Sequence, residues 1–189
     1  LPSMPQLNNH NPEVVEAILA ECAYWMDQGV DGFRLDVANY YTHDRQLRNN
    51  PPAPFDPNFA GLARGNPSAR QRHLYDRSQP ETIPILKRIR DLADRYPERF
   101  LMAEIHDREW DRVIAEYTAP GLLHSAYPLP IVTSPRIGLI RSLVERLEAH
   151  PGVWPSYAFS NHDAMRVLTR WGGEDAPPAF ARQMVALLL

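Results

Sequence analysis

The sequence predicts an α/β fold in which a parallel β-sheet is flanked by helices and closed as a (β/α) barrel. Two observations carry this. Short apolar strands and amphipathic helices alternate four times along the 189 residues, as right-handed βαβ crossovers require. Three carboxylates, Asp36, Glu104 and Asp163, each fall at or just past the end of a different strand, where barrel enzymes gather their catalytic groups. An open sheet satisfies the alternation equally, so the placement of the acids is what favours the barrel.

Each element has its own justification. Residues 13–28 repeat Val14, Ala17, Ile18, Cys22, Trp25 and Met26 at helical spacing and stop at Gly29, a residue suited to the position past a helix end. A strand follows over 30–37, with Phe33, Leu35 and Val37 on one alternation and Gly32, Arg34 and Asp36 on the other. Arg34 and Asp36 therefore emerge on the same face. Residues 38–80 are rich in Pro, Asn and Arg without a sustained period and read as a long βα loop with short helical turns at most. A helix over 81–96 carries Ile85, Leu86, Ile89 and Leu92. Residues 100–105 form a compact apolar strand, and 109–117 a short helix. Downstream, 122–127 is a weaker strand, 136–150 an amphipathic helix, 155–160 a short strand and 177–189 a helix opened by prolines.

Composition narrows the class. A hydrophobic content of 44%, charged residues at 23% and a formal charge of -3 fit a globular domain and give no footprint for nucleic acid or an anionic membrane. The expected partner is a neutral small molecule. The single cysteine, Cys22, cannot form an internal disulfide and lies in a helix among Ala20, Ala23 and Trp25, as a small buried thiol would. A reducing, cytoplasmic setting is expected. No apolar run approaches the roughly 18 residues that span a bilayer, and the opening residues lack the pattern of a secretory signal.

Taken singly, these residues have ordinary roles: Asp36 as a cap or turn former, Glu104 and Arg34 as salt-bridge partners, His162 as a satisfied histidine near a sheet end. Their company and order point elsewhere. The stretch from Gly32 to Asn39 (GFRLDVAN), the pair Ala103-Glu104 and the stretch from Ser160 to Asp163 (SNHD) resemble three ordered signature blocks of the α-amylase superfamily, glycoside hydrolase family 13. The stretch from Met4 to Asn8 (MPQLN), followed by Asn11 to Val14, resembles a further block of its α-glucosidase branch, which includes oligo-1,6-glucosidases. The match runs over residues 4–166 in the family's order.

The resemblance implies a (β/α)8 TIM barrel, of which residues 1–189 hold roughly the fourth to seventh β/α units, with 38–80 a loop within it. It also implies roles. Asp36 resembles the nucleophile, whose ionised form Arg34 would stabilise. Glu104 resembles the acid/base, which must hold a proton and so is expected in a less charge-compensated setting. Asp163 resembles the third carboxylate, which binds ring hydroxyls and favours the distorted sugar, and His162 the imidazole that binds the same unit. Arg166 matches a substrate-facing arginine after that block. Val37, the residue after the nucleophile, is associated in this branch with α-1,6 preference, where Thr or Ala goes with α-1,4. No cofactor or metal is required for this chemistry.

The expected activity is that of a retaining α-glucosidase acting at the non-reducing end of short α-glucosides. Transglycosylases and isomerases of the superfamily share the machinery, and a non-catalytic barrel subunit is the alternative from another class. The family's earlier sugar-binding block (Asp-x-Val-x-Asn-His) is missing upstream of Met4, so these residues are expected to be an excerpt of a longer enzyme. Three further features have plainer expectations. The cluster Asn39, Tyr40, Tyr41, His43 and Asp44 matches no zinc spacing and reads as a packing or sugar-stacking surface. Arg64, Arg70, Arg72 and Arg77 are expected to solvate the long loop. Trp110, Trp154 and Trp171 are as consistent with core as with carbohydrate platforms.

Overall fold

The computed structural model describes residues 5–55, 66–132 and 137–188. Its first helix, α1 (Pro12–Asp27), begins where Asn11 accepts the Glu13 N–H at 3.1 Å and Pro12 occupies a position whose N–H has no helical partner. It ends at Gly29, held at φ 94°. There the Gly29 N–H bonds the Met26 carbonyl (3.0 Å) and the Val30 N–H bonds the Trp25 carbonyl (3.2 Å), closing the last turn.

Among the described residues three parallel strands lie in the order β1 (Gly32–Leu35), β2 (Phe100–Ile105) and β3 (Ser125–Pro128). Leu35 is level with Ala103, and Glu104 with Tyr127. The crossovers are α2 (Thr82–Ala93) and α3 (Trp110–Tyr117), each laying an apolar stripe on the sheet. Leu86, Leu101, Ile105 and Ile114 lie in the core between these layers, fully buried, each contributing about 1.5–3 kcal/mol of burial. At the start of β1 the backbones approach so closely that a Cβ on Gly32 would lie 1.8 Å from the Phe100 carbonyl oxygen, so no side chain fits there.

The chain continues through α4 (Ile137–Glu148), α5 (Val167–Gly172) and α6 (Pro178–Leu188). Several boundaries differ from those expected. The strand predicted over 122–127 forms later, at Ser125–Pro128, because Leu122 and Leu123 close the turn after α3, with the Leu123 N–H on the Tyr117 carbonyl at 3.0 Å. The strand predicted over 155–160 is reduced to one parallel bridge, Ala126 to Pro155, with Ser156 donating to the Ala126 carbonyl at 3.2 Å. Pro155 has no N–H to extend that ladder. Helix α5 was not predicted. It lacks a side-chain cap and depends on tertiary contacts, with Trp171 packed on Phe159 (ring centroids 5.3 Å) and the Val167 N–H bonded to Ser160 Oγ at 2.8 Å.

Among the described residues the long stretch between β1 and α2 holds two 3-10 turns, Ala38–Tyr40 and Pro67–Arg70, and a single antiparallel bridge from Pro52 to Gln71. Of the arginines expected to solvate it, Arg77 does the opposite: it is 3% exposed, with its guanidinium over the Tyr40 ring at 4.4 Å. Arg64 and Met4 lie outside the described residues. Trp110 is in the core and Trp154 at the surface. No helix among the described residues is long and apolar enough to cross a membrane.

Candidate active site

Strand β1 stops at Leu35, which pairs with Ala103, and Asp36 follows as the first residue of a turn, one position past that rung as Glu104 is on β2. Period-two alternation puts Arg34, Asp36, Met102, Glu104 and Tyr127 on the sheet face away from the helices. On that face Arg34 is the hub. One guanidinium nitrogen, Nη1, pairs with Asp36 Oδ1, while the other, Nη2, reaches Glu104 Oε2 at 2.7 Å and the Tyr127 hydroxyl at 2.9 Å. The planar fork of arginine makes this double engagement possible, which a point charge could not match.

The two carboxylates sit in different surroundings. The Asp36 side chain is 66% exposed and that of Glu104 is 4% exposed. The expectation that Glu104 would have less charge compensation is not met, since the same guanidinium serves both acids. For Arg34 itself, burial disfavours the charge most, but the hydrogen bonds to Tyr127 and Asp36 and the charge of Glu104 outweigh it and raise its pKa. The Tyr127 phenol is also pushed up, first by burial and then by Glu104, against the lowering effect of Arg34. Arg34 is thus permanently cationic and Tyr127 a neutral hydroxyl through the neutral range. Sequence reasoning missed Tyr127. The usable signal was its place in strand alternation level with Glu104, blurred by the early strand boundary.

Asp36 and Val37 also border a cleft of ≈ 650 Å³ on the helix side of β1, lined by Gln6, Leu7, Tyr40 and Tyr41 together with Ile18 and Cys22 of α1 and Ile85 and Ile89 of α2; Arg34 and Glu104 do not line it. The amino-terminal block reaches the cleft through side-chain bonds to the loop after β1. Gln6 Nε2 donates to the Tyr40 carbonyl, Asn9 Nδ2 to the Tyr41 carbonyl at 2.8 Å, and His10 Nε2 lies 2.7 Å from the His43 carbonyl. Val37 has φ 29° and ψ 56°, a left-handed conformation that costs a β-branched residue about 1–3 kcal/mol. The turn that redirects the chain immediately after Asp36 imposes it.

The third block is less gathered. His162 and Asp163 are 71% and 74% exposed, with Nε2 of one 3.4 Å from Oδ2 of the other. The Asp163 N–H bonds Asn161 Oδ1 at 3.1 Å, and Arg166 is an exposed residue that precedes α5. The structure therefore brings Arg34, Asp36 and Glu104 together, with Val37 next to Asp36 in the chain, while among the described residues the polar contacts of His162, Asp163 and Arg166 are local.

The family model described as Alpha amylase, catalytic domain, matches residues 1–189. The chain belongs to this family. Its catalytic domain is a (β/α)8 barrel, so the three-stranded sheet and its helices are a barrel segment. A probable alpha-glucosidase of Rhizobium meliloti (strain 1021) is 39% identical over 196 residues, covering 100% of this chain and 36% of that protein. A trehalose synthase of Pimelobacter sp. is 30% identical over 182 residues, 85% of this chain and 26% of that protein. The crystal structure of an alpha-glucosyl transfer enzyme, XgtA, superposes with a TM-score of 0.90 at 46% identity, covering 96% of this chain and 35% of that one. The α-amylase segment thus spans about a third of the length of these relatives.

Proposed function

We propose that this chain carries the catalytic centre of a retaining α-glucosidase acting on short α-glucosides, with Asp36 as nucleophile and Glu104 as acid/base. The observation that carries the reading is the single guanidinium of Arg34 bridging two carboxylates of adjacent strands on one face of the sheet. In the first step an Asp36 oxygen attacks the anomeric carbon, the glycosidic C–O bond breaks, and the Glu104 proton passes to the departing oxygen. In the second, Glu104 takes a proton from water, the resulting oxygen nucleophile attacks the same carbon, and the Asp36 carboxylate leaves with net retention. Arg34 holds Asp36 in line, and Tyr127 supports Arg34 from the third strand.

Asp163 and His162 would bind ring hydroxyls of the sugar, Arg166 would face the substrate, and Val37 would shape the aglycone side.

Transfer to a sugar hydroxyl in place of water is a second reading, and the likeness to an alpha-glucosyl transfer enzyme at 46% identity favours it. The chemistry up to the covalent intermediate is the same, and the acceptor alone differs.

The experiment uses the full-length protein. A mechanism-based fluoroglycoside should label Asp36, Asp36→Asn should lose nearly all turnover with binding retained, and the product should keep its anomeric configuration. A label on Glu104 or Asp163, or inversion, would overturn the assignment. Product analysis at rising sugar concentration separates hydrolysis from transfer, and absence of any turnover would favour the non-catalytic subunit.

A further inference from the structure

Beyond the last rung of the β1–β2 ladder, where Leu35 pairs with Ala103, the two acid-bearing segments are joined a second time. The link is Asn39, which is 0% exposed. Its Nδ2 donates to the His106 carbonyl and to Ser78 Oγ, each at 3.1 Å, while its Oδ1 accepts the His106 N–H at 3.1 Å. A side-chain amide thus pairs with both backbone groups of one residue, as a neighbouring strand would.

Asn39 lies three residues after Asp36, and His106 two residues after Glu104. The long loop locks the arrangement from behind. The Ser78 N–H bonds the Asn39 carbonyl (2.6 Å), Ser78 Oγ donates to Asp107 Oδ2 (2.6 Å), and Arg77 Nη1 reaches the His106 carbonyl (3.3 Å). Tyr40 adds a contact between its hydroxyl and His106 Nδ1 at 3.1 Å. Each acid is thereby held between two fixed points, the sheet ladder on one side and the amide rung on the other.

We infer that Asn39 is a positioning residue that sets Glu104 against Asp36 and so governs proton delivery to the leaving group. This rests on the roles proposed above for the two acids. Asn39 is fully buried, so it acts through the backbone of residues 104–106 and does not touch substrate. A misplaced acid matters most where the departing oxygen must be protonated and least where the leaving group departs without help.

The test compares kcat/KM of the full-length enzyme on methyl α-glucoside, a poor leaving group, with that on α-glucosyl fluoride, a good one. Asn39→Asp keeps the shape but removes both Nδ2 donations. It should lose about 100-fold on the methyl glucoside and less than about tenfold on the fluoride. The ratio of the two is independent of the folded fraction, so a merely structural defect leaves it unchanged. Glu104→Gln is the reference and should shift the ratio further in the same direction. Should Asn39→Asp not fold, Ser78→Ala, which removes one amide partner and the Asp107 contact, should shift the ratio at least about threefold. Equal losses on both substrates in the variant studied overturn the inference. If Glu104→Gln also loses both equally, the role of Glu104 fails and the inference with it, whereas a selective Glu104→Gln beside an unselective Asn39→Asp sinks only the part assigned to Asn39.

Discussion

Replacing Arg34 by lysine keeps the positive charge and removes the fork. In the structure two different guanidinium nitrogens engage Asp36 and Glu104, so one ammonium can keep only one of these contacts. A hydrogen bond to a charged group is worth about 1.5–3 kcal/mol. Since the Asp36 side chain is 66% exposed and water can replace its lost partner, the lower end applies there. At about 1.4 kcal/mol per tenfold change in rate, Arg34→Lys is expected to cost about tenfold in kcat/KM. Arg34→Met removes both contacts and the Tyr127 bond, for about 4–5.5 kcal/mol or roughly 10³–10⁴-fold. The assay is steady-state kinetics of the full-length protein on an aryl α-glucoside, with urea unfolding run in parallel to separate catalysis from stability. A double-mutant cycle between Arg34 and Glu104 should show coupling of at least about 1 kcal/mol. An Arg34→Lys enzyme within threefold of wild type, or no difference between the Lys and Met variants, would refute the bridging argument.

Three more outcomes are expected. Tyr127→Phe removes one acceptor from Arg34 and should lower kcat about fivefold, as one hydrogen bond of about 1 kcal/mol implies; kcat within twofold of wild type means Tyr127 is not part of the centre. For Asp76, burial would raise the pKa, but the His73 hydrogen bond and the Arg77 charge outweigh it and lower it from 3.8 to about 2. A depressed carboxyl stabilises the fold above its unfolded pKa and loses that contribution as pH falls toward the folded value. Wild type should therefore exceed Asp76→Asn by about 1 kcal/mol near neutrality, a figure discounted because the side chain is 41% exposed, and the gap should close between about pH 4 and pH 2 in urea titrations. A gap that stays constant across that range contradicts the ion-pair account. Finally, Val37→Thr, which keeps the side-chain shape and exchanges a methyl for a hydroxyl, should move the isomaltose-to-maltose ratio of kcat/KM toward maltose by up to about 10²-fold, and an unmoved ratio removes Val37 as a determinant of linkage.

What the amino-acid order alone determined is local and periodic. The helix that stops at Gly29, the strand at 100–105 and the amphipathic helices around Ile85 and Leu143 were legible because their side chains repeat at 3.6 or 2 residues. The shared face of Arg34 and Asp36 followed from the same period, and the ordered blocks fixed the family. Tertiary structure decided the rest, because it joins residues far apart in sequence. Tyr127 reaches Arg34 across 93 positions, and Asn39 reaches His106 across 67. Arg77 looked like a solvated loop charge and is buried, since Tyr40, His73 and the His106 carbonyl converge on it only once the loop is folded back. The 155–160 segment has the composition of a strand, yet pairing requires N–H donors facing a neighbour, and Pro155 cannot supply one. Period shows which face a residue is on, but what meets it there is set by the packing of the whole sheet.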